Sequence, residues 1–365
     1  MGLSSFLARL QPRLVVGLLG CVLLVLSSAW FFTAKDDRGR TARLTADAWY
    51  YHAYMPSMVF DQDLDFQDEF TITKNWYRLG KTPTGRQSNV FGIGPAVYQL
   101  PFFLAGHGIA SATGGRADGF SRLEVEFSLY ASLLFSLGAL FFVYRLVARR
   151  LGGRYGPMAV TLVVGMAGPV VYYAIRQPGY AHPFATFWIA WLVDYWDASF
   201  QEEQSAPRSR RFWIFFGLLI GAASLARPQL VLWSILGGYA AFSDLSRARA
   251  ANYSRSQIAT QVAWWLLGAA CALVVVLPQL LAWKSLYGSF LASPQGEGFM
   301  RWGESAWLET LFSSRNGLFP WAPIYALGFA GLVLGLWRFR RISSALLLGL
   351  FLQAYANGAA WDWWG

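Results

Sequence analysis

The chain has 365 residues, 55% of them hydrophobic and 17% aromatic, with only 14% charged. Apolar runs of helix-spanning length recur from end to end, which excludes an ordinary soluble domain and predicts an all-α, polytopic membrane protein. A net charge of +10 does not imply nucleic acid, because the arginines fall in short clusters between apolar runs, where they act as topology signals and lipid-headgroup contacts.

The first expected helix covers residues 14–32, behind Arg9 and Arg13. It is longer than the roughly 7–15 residues of a signal-peptide core and is expected to stay as an uncleaved anchor. Cys21 lies in this run and Cys271 in a later one, with no metal-ligand spacing, so neither a disulfide framework nor a zinc site is expected. Residues 33–113 form a large first loop facing outward. Within it, residues 91–109 carry Gly92, Gly94, Pro95, Pro101, Gly106 and Gly108, and predict a helix lying in the interface with Tyr98 and Phe102 dipping into lipid.

Further helices are expected at residues 123–144, 156–173, 180–196, 212–226, 230–242, 257–283, 318–337 and 342–357. The bundle would then cross about nine times as a single domain over residues 1–365, with the N-terminus inside. This parity delivers Arg145, Arg149, Arg150 and Arg154, then Arg208, Arg210 and Arg211, then Arg247, Arg249 and Arg255, then Arg338, Arg340 and Arg341 to the cytoplasm, as the positive-inside rule requires. Lys35, Arg38, Arg40 and Arg43 run against it. Residues 212–242 are split by Arg227-Pro228 into halves too short for full spans, so a shallow hairpin is an alternative there. The tail Trp361-Asp362-Trp363-Trp364-Gly365 ends abruptly in an interfacial aromatic motif, as though further helices were missing.

The chemistry collects on the outward face. Asp47 opens the run Asp47-Ala48-Trp49-Tyr50-Tyr51-His52-Ala53-Tyr54. A desolvated carboxylate among aromatics suits proton abstraction from a hydroxyl; the alternative is a helix N-cap. Asp61, Asp63, Asp65, Asp68 and Glu69 follow, where alternate oxygen ligands could hold a divalent cation or a polar acceptor, or form a solvated acidic turn. Arg122, Arg176, Arg227 and Arg315 could snorkel to phospholipid or, converging, bind a phosphate. His182 could touch the same phosphate or cap a helix. No P-loop, dinucleotide glycine motif, His-Glu-x-x-His or nucleophile elbow is present.

The first-loop aspartate, Asp61-Gln62-Asp63-Leu64, Phe91-Gly92-Ile93-Gly94-Pro95 and Leu225-Ala226-Arg227-Pro228 together resemble the GT-C class of membrane glycosyltransferases. That superfamily includes the protein O-mannosyltransferases and the lipid A aminoarabinose transferases. The resemblance implies inverting transfer of a sugar from a polyprenyl-phosphate donor to a glycan, lipid or protein acceptor at the outer face of a bacterial inner membrane. Asp47 then takes the catalytic role, and Arg122, Arg176, His182 and Arg227 become the donor-phosphate residues. Asp61, Asp63, Asp68 and Glu69 are left for acceptor or metal. The sequence departs from the pattern at Ala48, where several members carry a second acid, and in its shorter length. Rival readings are a transporter or flippase of a lipid-linked or anionic solute and a non-catalytic partner in envelope assembly. A transporter would show broken helices near the midplane and a repeat between halves, whereas here the polar residues gather at one face.

Overall fold

The computed structural model describes residues 44–153, 155–200 and 206–364. They are helices joined by turns, with two isolated bridges, Lys81 with Gln87 and Met300 with Ala360, as the only extended pairing among them. The expected helix at 14–32 lies outside the described residues. The chain divides into two compact units, one of residues up to Leu79 with Pro95–Ala190, the other of Gly80–Gly94 with Trp191 onward.

In the first unit, α1 (Asp47–Pro56) continues through a π turn (Ser57–Asp61). A left-handed Gln62 stops it, and α2 (Gln67–Thr73) follows. The helix α3 (Gly94–Ala112) runs unbroken through Pro101 and its glycines. Its Tyr98, expected to dip into lipid, packs its ring among Phe135, Phe184 and Trp188, all within 5.6 Å. The 30-residue α4 (Arg122–Leu151) starts at a capping box, Ser121 accepting from the Glu124 amide and Glu124 from the Ser121 amide. It overshoots the expected end at 144, so Arg149 and Arg150 fall in its last turn, where cations oppose the helix dipole favourably.

The expected helix over 156–173 is broken. Gly168 is extended and Pro169 starts a new turn, giving α5 (Tyr155–Ala167), then α6 (Pro169–Val171) and a π segment (Tyr172–Arg176), bent by 57°. The helix α7 (His182–Ala198) begins after the Gly179 turn.

In the second unit, α8 (Arg210–Ala226) stops at an extended Arg227, and a 3-10 turn (Pro228–Ser234) leads into α9 (Ile235–Ala250). The long α10 (Arg255–Tyr287) follows, then α11 (Trp307–Phe312), α12 (Leu318–Trp321), α13 (Ile324–Arg338) and α14 (Arg340–Gly358). Arg208, expected among the topology signals, is engaged inside the fold. It is buried, donates to Asp244 Oδ1 at 2.6 Å and to the Ala240 carbonyl, and stacks on Phe200 with its guanidinium carbon 4.0 Å from the ring centre. Breaking such a pair strands a buried charge.

By length and composition, α4 and α10 can cross a membrane, and the bent α5–α6 pair makes a third if it is one span. Nine crossings were expected, one of them at residues 14–32, outside the described residues. Among the described helices α8 has 17 residues and α13 has 15, about 25 and 23 Å at 1.5 Å per residue, against a hydrocarbon core of about 30 Å. The outer face of α10 exposes Leu266, Leu273, Val274 and Leu281, a continuous apolar stripe suited to lipid.

Small residues let α8 and α10 touch backbone to backbone. A Cβ built on Gly217 would lie 1.9 Å from the Gly268 carbonyl oxygen, and one on Gly221 would lie 2.7 Å from that of Ala272. This is the small-residue spacing of close membrane-helix pairs. Gly217→Ala should therefore lower stability by about 1–3 kcal/mol through overpacking, despite alanine's better helix propensity. Gly238 on α9 has nothing within 4 Å of its would-be Cβ, so Gly238→Ala should raise stability by up to about 1 kcal/mol. Thermal unfolding in detergent reads both, and shifts of the same sign would contradict the packing.

Candidate functional site

Asp47 is the first residue of α1, and Ala46 occupies the N-cap position with φ 39° and ψ −116°. The carboxylate is not itself the cap residue. It is met by Tyr77, whose hydroxyl donates to Asp47 Oδ1 at 2.7 Å across 30 residues.

The loop that delivers Tyr77 is anchored by Tyr50, one turn after Asp47. The Tyr77 amide donates to the Tyr50 hydroxyl at 2.8 Å, and that hydroxyl donates to Asn75 Oδ1. Asn75 in turn bridges both backbone groups of Leu79, accepting from its amide at 2.9 Å and donating to its carbonyl at 2.8 Å. Burial, then the hydrogen bond to Asp47, pushes the Tyr77 phenol above its ordinary value, so it stays a neutral donor.

The opposite side is built by the Gly179 turn. Gly179 has φ 89°, donates its amide to Ser132 Oγ, and brings its Cα so close to Ala48 of α1 and Leu129 of α4 that a Cβ would approach them to 3.1 and 2.9 Å. Tyr180 follows directly and packs with Leu44, Ala48, Val125 and Leu129, while Trp49 and Tyr173 cover the cluster. The charge of Asp47 adds to burial in raising the Tyr180 phenol. His182, first residue of α7, stacks on Tyr173 at 4.0 Å and lies 6.2 Å from Tyr180. Tyr173 and His182 border a cavity of about 60 Å³ with Ser136 and Thr186.

Of the sequence-chosen cations, Arg122 opens α4 on the face that carries Val125 and Leu129, one turn before the residues packed on α1. Arg176 is exposed at the end of the π segment, three residues after Tyr173. Arg227 belongs to the second unit, extended between α8 and the 3-10 turn. Arg315, also in that unit, covers Trp364 with its guanidinium carbon 4.3 Å from the ring centre.

A second acidic centre forms at the far end of α1. Asp61, Asp68 and Glu69 bring one oxygen each within 4.8 Å of one another. Asp63 is not among them. Its carboxylate accepts from Ser57 Oγ at 3.2 Å and from the Asp65 amide at 3.0 Å, a local turn contact. Burial, more than the neighbouring Asp68 and Asp61 charges, pushes Glu69 up to about 9, and burial with the Asp68 charge raises Asp61.

Between the two centres, α1 is fixed by His52. This fully buried ring shares a 2.8 Å hydrogen bond with the Gly119 carbonyl, and burial holds its pKa down to about 4, so it is a neutral donor. Glu124 secures the same turn, accepting from the Gly119 and Ser121 amides and pairing with His107 Nδ1 at 2.7 Å.

The chain matches no family model, no curated protein and no solved structure. The residues that sequence reasoning missed are Tyr77, Asn75, Tyr173 and Tyr180.

The backbone at this site yields a paired test. Ala46 holds a positive φ at a cost of order 1–3 kcal/mol, so Ala46→Gly should stabilise the protein by about 1 kcal/mol. Gly179→Ala adds strain and overlap at once and should cost about 2 kcal/mol or more. Denaturant or thermal unfolding that showed Gly179→Ala as neutral would contradict the close approach of α1, α4 and the turn.

Proposed function

We propose that the chain is a multi-pass membrane glycosyltransferase of GT-C type that moves a sugar from a polyprenyl-phosphate donor to a hydroxyl acceptor at the outward face, with Asp47 as general base. The observation that carries this reading is the Asp47 carboxylate, aimed by Tyr77 and bordered by Tyr180, beside the Tyr173–His182 stack. An aromatic face suits the polarised C–H face of a sugar ring. The apolar outer surface of α4, where Leu134 and Phe141 are exposed, suits the lipid tail of the donor.

In the proposed step the acceptor oxygen attacks the anomeric carbon as its proton passes to Asp47. The bond from that carbon to the phosphate oxygen breaks, and polyprenyl phosphate leaves. Arg122 and Arg176 are proposed to offset the charge gained by the phosphate, each charge-assisted pair contributing about 1.5–3 kcal/mol. The arginines at the end of α4 favour its C-terminus in the cytoplasm, which turns Asp47 outward at the inner membrane.

Purified protein in liposomes, supplied with a panel of polyprenyl-phosphate sugars, tests the reading. Asparagine keeps the shape of aspartate but takes no proton, so Asp47→Asn should lose about 10²–10⁴ in transfer rate with thermal stability near wild type. Arg176→Ala should weaken donor use roughly ten- to a hundredfold, more than Arg176→Lys, because truncation removes both charge and planar fork. Near-normal transfer by Asp47→Asn would place the base elsewhere.

A further inference from the structure

We infer that Asp61, Asp68 and Glu69 hold a hard divalent cation, Ca²⁺ by preference, at a site separate from Asp47. The cation would tie the π turn at the end of α1 to the first turn of α2. Two oxygens bound to one Ca²⁺ at about 2.4 Å each cannot be more than about 4.8 Å apart, and the three carboxylates meet that limit without any movement.

The independent observation is Glu69. It is 2% exposed, and neither carboxylate oxygen has a hydrogen-bond partner among the described residues. A buried, unsatisfied carboxylate costs free energy unless a proton or a cation is supplied. Among the described residues no lysine or arginine pairs with any of the three acids. Asp118, which lines the same cavity, is paired with Arg116.

Glu69 faces a cavity of about 240 Å³ that Asp61, Asp68 and Asp118 also line, walled by Phe60 and Phe120. Asp61 and Asp68 are exposed at its mouth, leaving water room to complete a coordination shell of six to eight oxygens. Flexible carboxylates with an open side suit Ca²⁺ better than Mg²⁺, which demands a tighter octahedron. Along α1 and its π turn, Asp47 and Asp61 are roughly 20 Å apart at about 1.5 Å per residue. The inference therefore stands independently of the transferase reading.

Full-length protein stripped with EDTA and titrated with MnCl₂ under electron paramagnetic resonance tests it. One Mn²⁺ per chain should bind, be displaced by CaCl₂ at lower concentration than by MgCl₂, and weaken at least tenfold in Glu69→Gln and in Asp68→Asn. Asp68 is exposed, so its variant keeps the test open if Glu69→Gln folds poorly. Asp63→Asn should bind as wild type does, since that carboxylate is turned onto Ser57 and Asp65. CaCl₂ should also raise the unfolding temperature of wild type but not of Asp68→Asn. Absence of saturable Mn²⁺ binding below the millimolar range would overturn the inference, as would affinity unchanged in both variants. A proton shared among the three acids would then account for Glu69.

Discussion

The hydrogen bond from the Tyr77 hydroxyl to Asp47 closes a 30-residue excursion back onto the helix that begins it. As a contact to a charged group it contributes on the order of 1.5–3 kcal/mol, too little to order such a segment unaided. The ordering comes from beneath. Tyr50 is fully buried against Phe70, takes the Tyr77 amide and holds Asn75, and Asn75 locks the turn to Leu79. Tyr77 therefore arrives already positioned, and its hydroxyl can spend its hydrogen bond on orienting a carboxylate.

The same helix keeps the two acidic centres apart. His52 and Glu124 pin the middle of α1 to the turn at Gly119, and Gly179 pins its start to α4. With the helix fixed, the carboxylates of Asp61, Asp68 and Glu69 remain roughly 20 Å from Asp47. A retaining sugar transfer through two carboxylates needs them about 5–5.5 Å apart. The far cluster is thus too distant to serve as a nucleophile partner to Asp47, in keeping with the single displacement proposed above.

Asp47 stands out in the sequence, because a carboxylate beside an aromatic run just past an apolar segment is costly to desolvate. The acidic cluster stands out too, but not which of its members meet. Alternate spacing suggested that Asp61 and Asp63 act together, whereas the chain is helical up to Asp61, turns at Gln62, and uses Asp63 inside that turn. Tyr77, Tyr173 and Tyr180 were invisible because tertiary packing, not periodicity, gathers them. The all-helical class was legible from composition. The number of spans was not, since apolar content does not reveal the breaks at Gly168 and between Trp321 and Ile324 that shorten the helices. Arg208 shows the same limit: in a basic cluster it resembles a topology signal, and only the packing discloses Asp244 opposite it.

The central claim is a single displacement driven by one carboxylate, and the anomeric configuration of the product reports on it directly. Proton NMR coupling constants of the product, compared with those of a polyprenyl-phosphate sugar of defined anomeric form, should show inversion at the transferred carbon. Retained configuration would require a covalent glycosyl-enzyme or a second carboxylate close to Asp47, and would contradict the account.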